Sequence, residues 1–283
     1  MGAPSSRATA DASGSIVNLT IGRNSFRAKG AVMIVVENLC KSYPDLEQGE
    51  VKAVDGVSFE CRPGRIYGLL GPNGAGKTTV LRTLATLLKP SSGKATVAGY
   101  DVETDAEMVR RSIGFVSNNT SNYDRMSARE MVEFFGRLHG MPEGQLKERA
   151  EVIYDQLQMK DFLEVTGGKM STGMKQKVSI ARAIIHDPPV LIFDEATVGL
   201  DVLVGRSLQN TVLELREQGK CILYSTHHMR EVERVCDQIA IMYNGKILCE
   251  GSQQELRERF HKSNLEDVFF DLIEQQVRPE VVA

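Results

Sequence analysis

The sequence has no apolar run long enough to cross a bilayer, no C-x-x-C pair and no excess of basic residues. A membrane-crossing helix needs about 20 consecutive apolar residues, so none is expected. The five cysteines, Cys40, Cys61, Cys221, Cys236 and Cys249, are scattered. That argues against a disulfide framework or a zinc site and for reduced, mostly buried thiols, as in a cytosolic protein. The net charge is −3, with acids and bases interspersed, so nothing pulls the chain toward nucleic acid as a partner. There is no internal repeat. The opening stretch, Met1 to Ala31, is rich in Ala, Ser, Gly and Arg and lacks both periodicity and the apolar segment of a secretory signal. It reads as a flexible extension over residues 1–32.

What the chain does have is concentrated at residues 71–78, Gly-Pro-Asn-Gly-Ala-Gly-Lys-Thr. This is the G-x-x-x-x-G-K-[ST] pattern of a phosphate-cradling loop, set between the apolar run Tyr67-Gly-Leu-Leu70 and a helix-like segment. Its glycines let the backbone turn sharply and aim N–H groups at phosphate oxygens. Lys77 carries the charge for the β- and γ-phosphates, and Thr78 offers a hydroxyl to Mg²⁺. A helix starting near Lys77 turns its positive dipole end toward the same anion. Gly71, Pro72, Asn73, Gly74, Ala75, Gly76, Lys77, Thr78 and Thr79 are therefore candidate nucleotide-binding residues, with Lys77 also catalytic. An ordinary Gly-rich turn is the weaker alternative, because strand, loop and helix fall in the required order.

Strand-like runs at 33–39, 57–61 and 65–70 precede this loop, and short strands at 95–98 and 113–117 follow it. Val80, Leu81, Leu84, Leu87 and Leu88 have helical spacing, stopped by Pro90 and Gly93. Ser127-Ala-Arg-Glu130 is a capping box ahead of an apolar stripe, Met131, Phe134, Phe135 and Leu138. A second helix is expected at about 144–158, so roughly 122–167 reads as a helical insert. Strands then return at 190–193, 221–224 and 239–242, with helices at about 173–186, 202–218 and 229–235 between them. Asn244-Gly245 signals a hairpin. This alternation implies a largely parallel sheet covered by helices, an α/β fold. The last thirty residues are amphipathic, with Leu265, Val268, Phe269, Leu272 and Ile273 reading as a face packed on the core.

The apolar strand Val190–Phe193 ends in Asp194 and Glu195. Ligands of α/β sheets lie at the carboxyl ends of strands. Asp194 there can hold Mg²⁺ beside Thr78. Glu195 can act as general base on the water that attacks the γ-phosphate. A helix-start acidic pair is the bland alternative, and the phosphate loop outweighs it.

Lys169-Met-Ser171-Thr-Gly173-Met-Lys-Gln176-Lys177 precedes a helix leading to that strand. It resembles the signature motif of ATP-binding cassette (ABC) proteins, usually Leu-Ser-Gly-Gly-Gln. Ser171 and Gly173 match; Met170, Thr172 and Met174 depart, and Gln176 falls outside the pentapeptide. By itself the segment reads equally as a helix cap. The other family marks follow in order. Tyr43 matches the aromatic stacked on adenine. Gly199-Leu200-Asp201 matches the loop at the dimer seam. Thr226-His227 matches the switch histidine, so His227 joins Glu195 as an implied catalytic residue. The family's usual glutamine after the strand 113–117 is replaced by Asn118, which keeps an amide for nucleotide or metal contact but is one methylene shorter.

The resemblance spans about residues 34–275. It implies a P-loop NTPase core with a small antiparallel β portion and an inserted helical subdomain. The implied nucleotide-binding domain is 33–250, with a C-terminal helical segment at 251–283. Residues 122–140 and 171–178 are similar to ATP-binding subunits of the sodium-export type. That implies an ATPase using ATP and Mg²⁺, with Thr78, Asp194 and Asn118 as metal contacts and Ser171, Gly173 and Asp201 as nucleotide contacts. It further implies a head-to-tail ATP-dependent homodimer on the cytoplasmic face of the membrane. This pair drives export through a separate permease, with sodium or a drug as cargo. A soluble ABC ATPase acting on ribosomes or DNA is disfavoured by the single cassette and the lack of a coiled-coil insertion. A GTPase or kinase is disfavoured by the lack of an Asn-Lys-x-Asp segment.

Overall fold

A computed structural model describes residues 32–45, 49–117 and 123–277 of the chain. The extension at 1–31 and Asn118 lie outside the described residues.

Three short apolar runs make the centre: β3 (Ile66–Leu70), β7 (Val190–Asp194) and β8 (Cys221–Thr226), every residue of them buried. Strands covered on both faces read as unbroken apolar runs rather than alternating ones. With β6 (Ile113–Ser117), β9 (Gln238–Tyr243) and β10 (Lys246–Gly251) they form a six-stranded sheet in the order β10-β9-β3-β8-β7-β6. All neighbours are parallel except β9–β10. Those two are joined by the expected hairpin at Asn244-Gly245, with φ of 46° and 77°. Positive φ at both central residues is what a tight hairpin turn asks of Asn-Gly.

Side chains alternate across this sheet into two cores. Leu191, Phe193, Ile222 and Tyr224 point to one, shared with the helical region. Val190, Ile192, Cys221 and Leu223 point to the other. The second core is closed by an antiparallel sheet ordered β2-β1-β4-β5, from β1 (Ile34–Asp45), β2 (Gly49–Cys61), β4 (Ser92–Val97) and β5 (Tyr100–Asp101).

The first two strands run well beyond the expected 33–39 and 57–61. Their outer halves are mostly exposed, so they lack the apolar alternation by which a strand is read. Register shifts between Val36 and Ser42 also interrupt any period. Helix α1 (Lys77–Leu84) stops short of Leu87 and Leu88. Thr86 sits at φ 62°, a left-handed conformation that ends the helix and leaves Leu87 exposed. A short helix α2 (Ala106–Ser112) precedes β6 and carried no apolar stripe to announce it.

The helical insert contains α3 (Ala128–Leu138) and α4 (Glu143–Gln156). Its capping box is complete: the Glu130 N–H donates to Ser127 Oγ at 3.2 Å, and the Ser127 N–H donates to Glu130 Oε2 at 2.7 Å. Such caps stabilise a helix by about 1 kcal/mol. Helices α5 (Thr172–Ile184), α6 (Val202–Glu217) and α7 (Met229–Val235) connect the central strands. The chain then adds α8 (Gln253–Phe260) and α9 (Leu265–Val277). Glu233 of α7 holds both, accepting from Arg257 Nη2 at 3.1 Å and from the Leu265 N–H at 3.5 Å.

Candidate functional site

The loop between β3 and α1 is fitted to its surroundings by the absence of side chains. A Cβ on Gly71 would lie 2.2 Å from the Met242 carbonyl oxygen. A Cβ on Gly76 would lie 2.3 Å from the Ala53 carbonyl oxygen, and Gly76 has φ 100°. Only glycine tolerates both the approach and the dihedral. The loop is also tied down through Ala75, whose carbonyl accepts from the Gly245 N–H at 3.1 Å. Asn73 and Gly74 form its exposed tip.

Lys77 opens α1 and is 3% exposed. Its Nζ donates to the carbonyls of Gly71 at 2.8 Å and Pro72 at 3.0 Å, and lies 3.3 Å from Glu195 Oε1. A buried ammonium requires such partners. Thr78 Oγ1 donates to Asp194 Oδ1 at 3.0 Å across 116 residues of sequence.

The parallel register brings the second half of the site alongside. Asp194 pairs with Ser225 on β8 and with Ser117 on β6. Ser225 Oγ donates to Asp194 Oδ1 at 2.8 Å and accepts from the Glu195 N–H at 3.1 Å. One buried serine therefore ties down both acidic residues. Glu195 itself has φ 49°, a turn that swings its carboxylate back toward Lys77 and His227. His227 Nδ1 is buried without a hydrogen-bond partner, 3.5 Å from Glu195 Oε1. That contact becomes an ion pair only when the imidazole is protonated.

The oxygen donors of Thr78 and Asp194 suit Mg²⁺. That ion keeps several waters and takes one or two carboxylates together with substrate phosphates. Among the described residues no three His, Cys, Asp or Glu side chains gather as they would for zinc.

Ser171 and Gly173 lie at the start of α5. Ser171 caps that helix, accepting from the Met174 N–H at 3.2 Å. A Cβ on Gly173 would lie 3.0 Å from Val204 Cγ2, so the first turns of α5 and α6 press together. Asp201 caps α6, accepting from the N–H groups of Leu203 and Val204 at 2.9 Å each. Among the described residues no hydrogen bond or ion pair joins Ser171, Gly173 or Asp201 to the loop at 71–78.

Residues 54–198 match the sequence pattern of a known family, described as ABC transporter. The chain belongs to the ABC transporter family. It is 38% identical over 238 residues to the ABC transporter ATP-binding protein NatA of Bacillus subtilis (strain 168), covering 84% of this chain and 96% of that one. It is 35% identical over 231 residues to the linearmycin resistance ATP-binding protein LnrL of the same organism, covering 80% and 71%. Among solved structures, the ATP-binding subunit of an ABC transporter superposes with a TM-score of 0.76 at 28% identity, covering 85% of this chain and 99% of that one. A dimeric bacterial ABC transporter cassette superposes with a TM-score of 0.71 at 26% identity, covering 78% and 98%. The fold is thus the P-loop NTPase fold of ABC cassettes, and ATP hydrolysis is the family's activity.

Within this cassette the residues expected from sequence fall into two groups. Gly71–Thr78, Asp194, Glu195 and His227 converge at the carboxyl ends of β3, β7 and β8. Ser171, Gly173 and Asp201 cluster at the starts of α5 and α6. Tyr43 stands apart from both, on the outer half of β1 opposite Val51, with Lys41 Nζ 5.2 Å from its ring centre. Thr79 lies on the first turn of α1 behind Thr78, its carbonyl accepting from Thr83 Oγ1 at 2.8 Å.

Three polar residues that sequence reasoning did not assign are built into the same region. Ser225 links the Asp194 carboxylate to the Glu195 N–H. Glu231 Oε2 accepts from Thr226 Oγ1 at 2.8 Å and from Tyr224 OH at 3.2 Å. Gln176 Nε2 donates to the Ala196 carbonyl at 3.1 Å. The one sequence-level hint was position: Ser225 immediately precedes Thr226-His227, and Gln176 sits just past the signature pentapeptide.

Proposed function

We propose that this cassette is the ATP-hydrolysing subunit of an exporter, acting as a head-to-tail homodimer on a separate membrane permease. The convergence of Lys77, Glu195 and His227 on the Thr78–Asp194–Ser225 cluster carries this reading. Each of those side chains comes from a different turn at one end of the central sheet, and together they present cation, base and metal-binding oxygens to one point.

In the proposed site the loop 71–79 wraps the phosphates with its N–H groups, and Lys77 leaves its own carbonyl partners to neutralise their charge. Tyr43 stacks on the base. Thr78 and Asp194 would hold Mg²⁺, with Asn118 proposed as a further contact. Bound there, Mg²⁺ supplies charge neutralisation for the β- and γ-phosphates. Ser225 holds Asp194 beside Thr78 and anchors the Glu195 backbone, leaving the Glu195 carboxylate turned toward Lys77 and His227. Glu195 accepts the proton of the attacking water. His227 stands against the same carboxylate oxygen and orients it. Ser171 and Gly173 complete the site of the opposite copy with hydroxyl and N–H donors at a helix start, an anion-binding arrangement. Asp201 stands at the seam. The split of the expected residues into two clusters within one chain supports a site completed by a second copy, and the likeness to a dimeric cassette supports it too.

The permease surface is proposed at the groove between the core and the helical insert, about 290 Å³ in volume. Leu87, Phe115 and Phe135 line it together with Arg110, Arg182, His139 and His186, and among the described residues no carboxylate does. Among the described residues no helix is long and apolar enough to cross a membrane; the transport path is proposed to lie in the separate permease.

Export is favoured by the relatives. Sodium is the cargo that the resemblance to sodium-export subunits suggests. A drug-like molecule is the second reading, favoured by the linearmycin resistance relative. The deciding experiment is Glu195→Gln with ATP on a light-scattering column. Retained ATP binding, loss of about 10²–10⁴ in hydrolysis and a trapped dimer are expected. Full hydrolysis by a monomer would sink the scheme. Identification of the membrane protein that co-purifies with the trapped form, then cargo assays on the pair, separates sodium from drug export.

A further inference from the structure

Gln176 is a buried amide, 8% exposed, on the second turn of α5. Its Nε2 donates to the carbonyl of Ala196 at 3.1 Å. Ala196 directly follows Glu195, and it is itself buried. The Glu195 carbonyl in turn accepts from the Val198 N–H at 3.1 Å, and the Thr197 carbonyl accepts from the Leu200 N–H at 3.1 Å. The segment 195–201 is therefore a tight turn, gripped from α5 at its second carbonyl, that of Ala196. A second contact grips its far end: Gly173, one turn earlier on α5, lies against Val204 at the start of α6. The first two turns of the signature helix thus hold both ends of the segment that carries Glu195 and Asp201.

We propose that Gln176 is a positioning residue that couples the two ATP sites of the dimer. The inference rests on the composite-site dimer proposed above and specifies how its sites communicate. Ser171 and Gly173 of one copy complete the opposite copy's site, whereas Glu195 of the same copy serves its own. A shift of α5 as Ser171 engages the opposite nucleotide pulls on the Ala196 carbonyl through the Gln176 amide. That re-aims Glu195 in the near site. A buried donor–acceptor pair is a stiff link, because breaking it leaves a carbonyl unsatisfied in a dry environment. Two arrangements of one packed element, each biased by a different site, are what a coupling claim requires.

The test uses the full chain with Gln176→Met, which keeps length and helix propensity but removes the donor, and Gln176→Leu as a second apolar variant. Wild type is expected to show a Hill coefficient approaching about 2, the number of sites. Both variants are expected to fall toward about 1 and to lose about tenfold in kcat, within the usual range of site-to-site coupling. Their single-site affinity for ATP, measured by fluorescence titration, should stay at the wild-type value, as should their melting temperature within a few degrees. Wild-type cooperativity and kcat in a folded variant overturns the coupling. So does an equal loss of affinity and kcat, which marks Gln176 as merely structural, and so does a non-cooperative wild type. The dimer is read separately, from the mass of the Glu195→Gln protein with ATP. A monomer there overturns the dimer and the coupling with it, whereas a dimer with unaltered variant kinetics overturns the coupling alone.

Discussion

Replacement of Glu231 separates the positioning of His227 from the rest of the site. The Glu231 carboxylate gathers two buried hydroxyls on one oxygen, Thr226 Oγ1 at 2.8 Å and Tyr224 OH at 3.2 Å. Thr226 Oγ1 in turn accepts from the His228 N–H at 3.0 Å. This chain of bonds fixes the turn between β8 and α7 on which His227 stands. Burial and the Glu231 charge push the Tyr224 phenol well above its usual value, so it remains a donor throughout the working range. In Glu231→Leu both hydroxyls lose their acceptor. A buried hydroxyl left unsatisfied costs about 1–3 kcal/mol. Glu231 is only half-buried, so water reaches part of the gap and the sum falls near the lower end, at about 2–4 kcal/mol. Glu231→Gln keeps one oxygen able to accept both bonds and loses only the charge assistance, at about 1 kcal/mol. Urea denaturation of the three proteins reads these differences directly. In ATPase assays under conditions where all are folded, Glu231→Leu is expected to lose about 10² in kcat, the consequence of misplacing a group by about 1 Å. KM should hold, because the phosphate loop is anchored through Ala75 and Gly245 elsewhere. Glu231→Gln should recover most of that kcat. Wild-type stability in the Leu variant would refute the hydrogen-bond accounting. A destabilised Leu variant with wild-type kcat would refute the link to His227.

Lys77→Ala should abolish ATP binding by equilibrium titration, and it also leaves the Gly71 and Pro72 carbonyls without their donor; retained binding removes Lys77 from the site. Gly71→Ala forces a Cβ to within 2.2 Å of the Met242 carbonyl, so the loop must move and ATP affinity should fall at least tenfold, with unaltered affinity counting against the close approach. His186 supplies a pH test of the groove beside the helical insert. Burial, with the stacked His139 ring 3.5 Å away, lowers its pKa from 6.5 to about 3, and its Nε2 lies 3.0 Å from the Ile113 carbonyl. The unfolded chain then binds a proton that the folded chain refuses, so stability is full above pH 6.5 and declines as pH falls toward 3. At pH 5 the loss is about 2 kcal/mol from this residue. Urea midpoints at pH 7.5 and 5 should show it in wild type and show a smaller drop in His186→Phe.

The family and the α/β class were legible because their signals are local. A phosphate loop encodes its own turn, and the central strands announce themselves as unbroken apolar runs. The outer halves of β1 and β2 were not legible, because exposed strands follow no apolar period and their pairing is held by backbone bonds that any side chain permits. Helix α1 was overextended for a related reason. Leu87 and Leu88 continue a helical spacing, yet the backbone turns left-handed at Thr86, and no residue there signals it.

The polar anchors were illegible for a different reason. Ser225, Glu231 and Gln176 are ordinary residues in sequence, and each gains meaning only from a strand or helix brought beside it. Ser225 meets Asp194 across 31 residues because β7 and β8 are parallel neighbours in register. Gln176 meets Ala196 because α5 leads into β7 and lies along the turn that leaves it. The residues read from sequence are those proposed to face the nucleotide. The ones missed stand behind them, hydrogen-bonded to the segments that carry Glu195 and His227. If that division holds, conservative changes at the three anchors should alter kcat far more than ATP affinity, whereas changes in the loop 71–79 should alter affinity first. A kinetic survey of the two sets that found no such split would mean that the anchors serve the fold alone.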